Sequence, residues 1–209
     1  MFTVKDSLNI DLIDECLILG IFDKPVKFTG IGKEADERLD GQLTELVKAG
    51  EISSKKKSVV KIHTLGKLGV KRLIFVGLGK EKELSFETLR EALGKARKTI
   101  KESKLTTLSI ALDTFTTEKL DALDVAHACS EAFELASYKF DGYKQKSNQV
   151  EKSIESITVY SESDNEEVGA ALHVGRIFGS ATNSARTLVN TPGNLLTSTD
   201  LADYSSALG

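Results

Sequence analysis

The chain has 209 residues, 40% of them hydrophobic and 28% charged, which suits one soluble globular domain of ordinary size or one domain with an appendage. A net charge of -3 supplies no basic field for nucleic acid, so that partner is disfavoured. No apolar run approaches the ~20 residues a membrane span needs, and Lys5 and Asp6 interrupt the N-terminus too early for a signal peptide.

In chain order, strands are predicted at Phe2–Lys5, Cys16–Phe22, Ser58–Thr64, Arg72–Leu78, Thr107–Asp113 and Ser156–Ser161. The second and fourth are almost continuously apolar, the pattern of strands covered on both faces. Between them, Lys33–Lys48 places Leu39, Leu43, Leu46 and Val47 on one helical face, with Gly50 as terminator. Ser85–Ser103 repeats Phe86, Leu89, Leu93, Ala96 and Ile100 at helical spacing. Thr117–Tyr138 does so with Val125, Ala128, Cys129, Ala132 and Leu135. Glu166–Val189 follows Asp164, which has Glu167 three residues on as in a capping box. Strands alternating with helices predict an α/β fold with a mostly parallel mixed sheet flanked by helices. The expected layout is an α/β domain over 1–162, a connecting helix over 163–191 and a further segment over 192–209. In that segment the chain breaks at Pro192-Gly193, opens another helix and stops at Gly209, as if it were the first part of something larger.

Chemistry-bearing motifs are sparse. Gly77-Leu-Gly-Lys80 follows a strand, where phosphate loops occur, but matches neither G-x-x-x-x-G-K-[ST] nor G-x-G-x-x-G; Lys82 stands in place of the third glycine. A tight strand exit explains it better. Gly30-Ile-Gly32 with Lys33 is weaker still. His63 lies in a strand, and His127 and His173 lie in helices. His127 and Glu131 share a helical face, but two groups alone do not hold a metal. Cys16 and Cys129 read as reduced, buried hydrophobes of a cytosolic protein. The Lys55-Lys56-Lys57 run reads as a solvated strand edge or loop, and Ser161–Glu167 as a solvated turn feeding a helix N-terminus.

Three segments together resemble the leucyl aminopeptidases, the cytosol aminopeptidase (M17) family. They are Lys71–Lys80 with its Gly-Leu-Gly-Lys, Glu131–Lys144 with its Tyr-Lys-Phe-Asp, and Arg186–Asn194 with Leu196-Thr197 and Leu201-Ala202. Ala132 and Ser198 stand where that family commonly has Gly and Pro. The resemblance implies a macro-like N-terminal α/β domain, a connecting helix and the first residues of a catalytic domain. It implies a cytoplasmic, hexameric parent that removes N-terminal residues from peptide substrates with two divalent metal ions, manganese or zinc. Those ions are held in the catalytic domain by a Lys and several Asp and Glu residues, including some in an Asn-Thr-Asp-Ala-Glu-Gly-Arg run that is absent here; Asn190-Thr191 continues into Pro192-Gly193. No residue of this chain therefore takes a catalytic, cofactor-binding or metal role. The expected role is non-catalytic: shaping the oligomer and limiting access to the active sites. The alternative is a macro-like module binding ADP-ribose or another phosphorylated small molecule through the Gly77–Lys80 or Gly30–Lys33 loop. Leu195, Leu196 and Leu201 are expected to pack on the catalytic domain and to be exposed, mobile or buried in a non-native dimer without it.

Overall fold

The computed structural model describes residues 2–6, 8–23, 28, 30–103, 105–140 and 154–208. Six strands, β1 (Phe2–Lys5), β2 (Leu17–Phe22), β3 (Val59–His63), β4 (Arg72–Gly79), β5 (Thr107–Ala111) and β6 (Ser156–Tyr160), form one sheet in the order β1-β6-β5-β2-β4-β3. All neighbours are parallel except β3, which runs antiparallel to β4 at one edge. The described residues also form the helices α1 (Gly30–Arg38), α2 (Gln42–Lys48), α3 (Phe86–Glu102), α4 (Ala122–Ser137) and α5 (Asn165–Asn190), which contribute to the cores on the two faces of the sheet, and α6 (Ser198–Leu208), which is largely exposed.

The alternation of side chains along β2 explains its unbroken apolar sequence. Leu17, Leu19 and Ile21 pack with Ala35 of α1, Leu43 of α2 and Leu39 between them. Cys16 and Ile18 face the larger core, with Leu89 and Leu93 of α3, Val125 and Phe133 of α4, and Val168 and Leu172 of α5. Both faces are thus dry, as a central parallel strand requires.

The helical spacing over Lys33–Lys48 does not give one helix. Asp40 and Gly41 take left-handed φ values of 57° and 76° and split it into α1 and α2. Asp36 supports the break: its backbone carbonyl accepts from Gly41 N, and its carboxylate accepts from Thr44 N. The same leucines stay inward across the break. α4 begins at Ala122 rather than Thr117, because the Asp121 carboxylate caps Leu123 and Asp124 and the Asp124 carboxylate accepts from Asp121 N. The run after Thr107 leaves the sheet at Ala111 and turns through a short 3-10 segment, Leu112–Phe115. Ser85 and Asp164 cap α3 and α5; for Asp164 the bonds run from Glu166 N and Glu167 N to its carboxylate.

Two polar devices hold this frame. At the sheet's entry end, Asp14 accepts from Ser109 Oγ at 2.6 Å and from Thr107 Oγ1, and Glu15 accepts from Thr106 N at 2.7 Å. These carboxylates tie the segment entering β2 to β5. On the helical side, α5 crosses α4 at glycines. A Cβ on Gly175 would sit 2.2 Å from the His127 carbonyl oxygen, and one on Gly179 would sit 2.6 Å from Glu134 Cβ.

Gly175→Ala is therefore expected to destabilise the chain by about 1–3 kcal/mol through forced separation of two helix backbones. Gly169→Ala, on the same helix with nothing within 4 Å, should stabilise by roughly 0.5–1 kcal/mol. Urea unfolding of both variants checks this pair. Thr106 N, donating to its carboxylate, holds Glu15 below its ordinary pKa of 4.5. Its contribution is then fully present above that value and is lost as pH falls through the lowered folded value. Between pH 5 and 3, stability should fall less steeply in Glu15→Gln than in the parent chain; equal slopes would refute the assignment.

Candidate functional site

The Gly77–Lys80 loop is filled by protein. A Cβ on Gly77 would meet Ser58 Oγ at 2.1 Å and the Lys55 carbonyl oxygen at 2.3 Å. Gly79, at φ 75°, lies against the Lys56 side chain. These glycines admit the 53–58 loop, whose Lys57 N donates to the Gly77 carbonyl at 2.9 Å. Lys80 is bound to Glu83 at 2.9 Å, Lys56 pairs with the same carboxylate, and Lys57 pairs with Glu91. The lysine run is a strand-flanking loop in which Lys56 and Lys57 are ion-paired, and the strand exit is filled by the 53–58 loop.

The second candidate lies where the chain changes the side of the sheet on which it travels. β2 leads to β4 through α1 and α2 on one face, and β4 leads to β5 through α3 on the other. Open α/β sheets bind ligands outside the carboxyl ends of strands at such a point. A crevice of about 500 Å³ occupies it, lined by Asp6, Leu8, Gly30, Ile31, Ala111, Asp113, Thr114, Tyr160, Ser161 and Glu162. Its charged groups are three carboxylates, with no cation among the described lining residues. Asp113 is engaged, accepting from Ser161 Oγ at 2.7 Å and Glu162 N at 2.9 Å. Thr114 Oγ1 accepts from Gly20 N and donates to the Ala111 carbonyl. The start of α1 opens onto this crevice, but the acidic lining opposes a phosphate there. Gly30 and Ile31 belong to the Gly30–Lys33 loop singled out in the sequence, but no motif marks Asp113, to which only the rule that strand ends carry ligands points.

His127 Nε2 stands 3.6 Å from Glu131 Oε2, while the other Glu131 oxygen accepts from Arg90. The imidazole lies between Phe86 and Phe178, each ring centroid 5.2 Å away. This is a packed histidine beside an ion pair. His63 and His173 are exposed elsewhere. Cys16 and Cys129 are fully buried and unpaired. Burial raises the Cys129 thiol to about 12, and burial together with Asp14 raises Cys16. Neither thiol forms a thiolate near neutral pH. Among the described residues, no group of three or more His, Cys, Asp or Glu side chains could hold a metal ion. A two-metal centre does not fit the described residues.

The model of the N-terminal domain of the cytosol aminopeptidase family matches residues 18–147. The chain belongs to that family. It is 44% identical over 194 residues to a probable cytosol aminopeptidase of Bacillus subtilis, and 43% identical over 194 residues to one of Bacillus licheniformis. Each match covers 93% of this chain but 39% of the relative, so the chain spans about two fifths of the curated relatives' length. Among solved structures, a variant of tomato leucine aminopeptidase superposes with a TM-score of 0.81 at 21% identity, covering 99% of this chain and 41% of that one. A bottromycin maturation enzyme, BotP, in complex with Mn gives 0.68 at 21% identity, covering 93% and 36%. These two similarities establish the fold alone.

The segments that carry the family resemblance map onto β4 with its exit, the end of α4, and the end of α5 with the start of α6; residues 141–144 of the second segment lie outside the described residues. No helix among the described residues is long and apolar enough to cross a membrane. Titration calorimetry with ADP-ribose is expected to give no saturable heat, because one candidate loop is filled and the crevice is acidic. Saturable binding that inorganic phosphate competes away would contradict that reading.

Proposed function

We propose that this chain is the non-catalytic N-terminal domain of a longer, metal-dependent leucyl aminopeptidase. The observation that carries the reading is the family match over residues 18–147 in a chain spanning 39% of its relatives' length. A two-metal peptidase needs clustered hard oxygen ligands to activate water and polarise the scissile carbonyl. The described residues offer no such cluster, so two manganese or zinc ions belong, on this reading, to a catalytic domain in the remaining three fifths. The proposed layout is a macro-like domain over 1–162, a connecting helix over 163–191 and the start of the catalytic domain over 192–209. The proposed setting is a cytoplasmic hexamer acting on peptides, in which this domain shapes the assembly and narrows the approach to the active sites.

The distribution of apolar surface supports a domain contact along α5 and α6. Of the large hydrophobic side chains left exposed among the described residues, all but Ile13 and Leu65 lie between Val174 and Leu201. They are Val174, Ile177, Phe178, Val189, Leu195 and Leu201. Leu196 is half-buried. A patch of this kind marks a surface made to be covered.

The test is hydrolysis of leucine p-nitroanilide with added manganese, comparing this chain with the full-length protein. Release of p-nitroaniline by the full-length protein alone is the expected result. Turnover by this chain that survives further purification would show that it holds a metal centre of its own. Silence in both would remove the aminopeptidase reading.

A further inference from the structure

The outer half of α5 is held to the domain by a set of exposed polar contacts with a single target, the end of α4. α5 has 26 residues and is about 39 Å long at 1.5 Å per residue. Its first half is fixed by Val168 and Leu172 in the core and by the crossing at Gly175 and Gly179. Beyond Gly179 the only half-buried positions in the helix are Asn183 and Leu188. Burial therefore does little to fix the direction of the last three turns.

α4 ends in a state that calls for partners. The last carbonyls of a helix have no intrahelical donor, and the helix dipole favours a cation there. α4 has no basic residue in its last turn, and Tyr138 leaves the helix at φ -56°, ψ 132°. Ser137 Oγ donates to the Glu134 carbonyl at 2.7 Å from within α4, and further donors come from α5. Asn183 Nδ2 donates to the Glu134 carbonyl at 3.0 Å, and Arg186 Nη1 donates to the Leu135 carbonyl at 3.2 Å. The Arg186 guanidinium carbon lies 4.1 Å from the centroid of the Tyr138 ring, a cation–π stack. Tyr138 Oη accepts from Asn190 Nδ2 at 3.1 Å and lies 3.3 Å from Thr187 Oγ1. Asn183 Oδ1 accepts from Arg186 in turn, which fixes the plane of the guanidinium.

We propose that Tyr138 and Arg186, with Asn183 and Asn190, form a positioning clamp that caps α4 from α5 and sets the direction in which the chain leaves the domain. The clamp joins two of the segments that carry the family resemblance, the Tyr138 turn and the Arg186–Asn194 run. Both are conspicuous in the sequence yet hold no catalytic group. Arginine suits the post because one planar side chain can stack on a ring and donate in its own plane, which lysine cannot do. The clamp is a property of this chain. That it also orients a catalytic domain rests on the reading proposed above.

The test places nitroxide labels on Lys95→Cys in α3 and Val189→Cys near the end of α5, both exposed, and records the distance distribution by double electron–electron resonance. Cys16 and Cys129 are buried and stay unlabelled. The otherwise unaltered labelled chain should give one narrow distribution. Arg186→Ala should widen it roughly twofold, since a latch of cation–π and capping strength no longer opposes bending of the outer turns. Arg186→Lys should not restore the width. Tyr138→Phe, which keeps the ring beneath the guanidinium, should fall between. The urea midpoint should fall only slightly in each, by no more than loss of one exposed cation–π and capping contact implies, because the altered contacts lie outside the core. An unchanged width in Arg186→Ala would overturn the proposal. So would a widening matched by a large drop in the urea midpoint, of the size a core truncation gives, which would make Arg186 a general stabiliser. Neither result depends on whether the full-length protein hydrolyses a peptide substrate.

Discussion

The close crossing of α4 and α5 is the contact on which the rest of this molecule depends. At Gly175 and Gly179 the helices approach so nearly that a single Cβ would collide with the His127 carbonyl or the Glu134 side chain. That proximity seats Val168 and Leu172 in the core beside the sheet. It also brings Phe178 against His127, while Val174 and Ile177 remain outward. A helix anchored so firmly at one end can project its other end beyond the domain. The outer turns then need only polar contacts to fix their direction.

Polar groups in this chain are spent on structure. Asp14 and Glu15 accept hydrogen bonds from the start of β5, Asp113 from the turn after β6, and Asp121 and Asp164 from helix starts. Glu131 is taken by Arg90, and Lys56 and Lys57 pair with Glu83 and Glu91. A carboxylate already accepting backbone or hydroxyl protons is poorly placed to ligate a metal or move a proton. The placement of hydrolytic chemistry in another part of a longer protein, as proposed, agrees with how these side chains are used.

Much of the fold is legible in the sequence. The unbroken apolar runs of β2 and β4 announce a sheet covered on both faces, and the spacing of Leu89, Leu93, Ala96 and Ile100 sets the buried face of α3. The break between α1 and α2 is not legible, because the leucine spacing continues through it while the backbone at Asp40-Gly41 turns left-handed. The glycines of the β4 exit show the same limit. Sequence marks a need for space at Gly77 and Gly79, but only the fold reveals that residues 53–58, not a phosphate, fill it. The crevice carboxylates and the Tyr138–Arg186 clamp join residues 48 or more positions apart in the chain. No local motif could bring them together.

The central claim is that this chain is a folded α/β unit whose α5–α6 surface is meant to be covered by the rest of a longer protein. Amide hydrogen exchange, measured on this chain and on the full-length protein under the same conditions, tests it most directly. The account predicts that added protection in the longer protein concentrates between Val174 and Leu208, with β2, β4 and α3 unchanged. Equal exchange across α5 and α6 in the two proteins would contradict it.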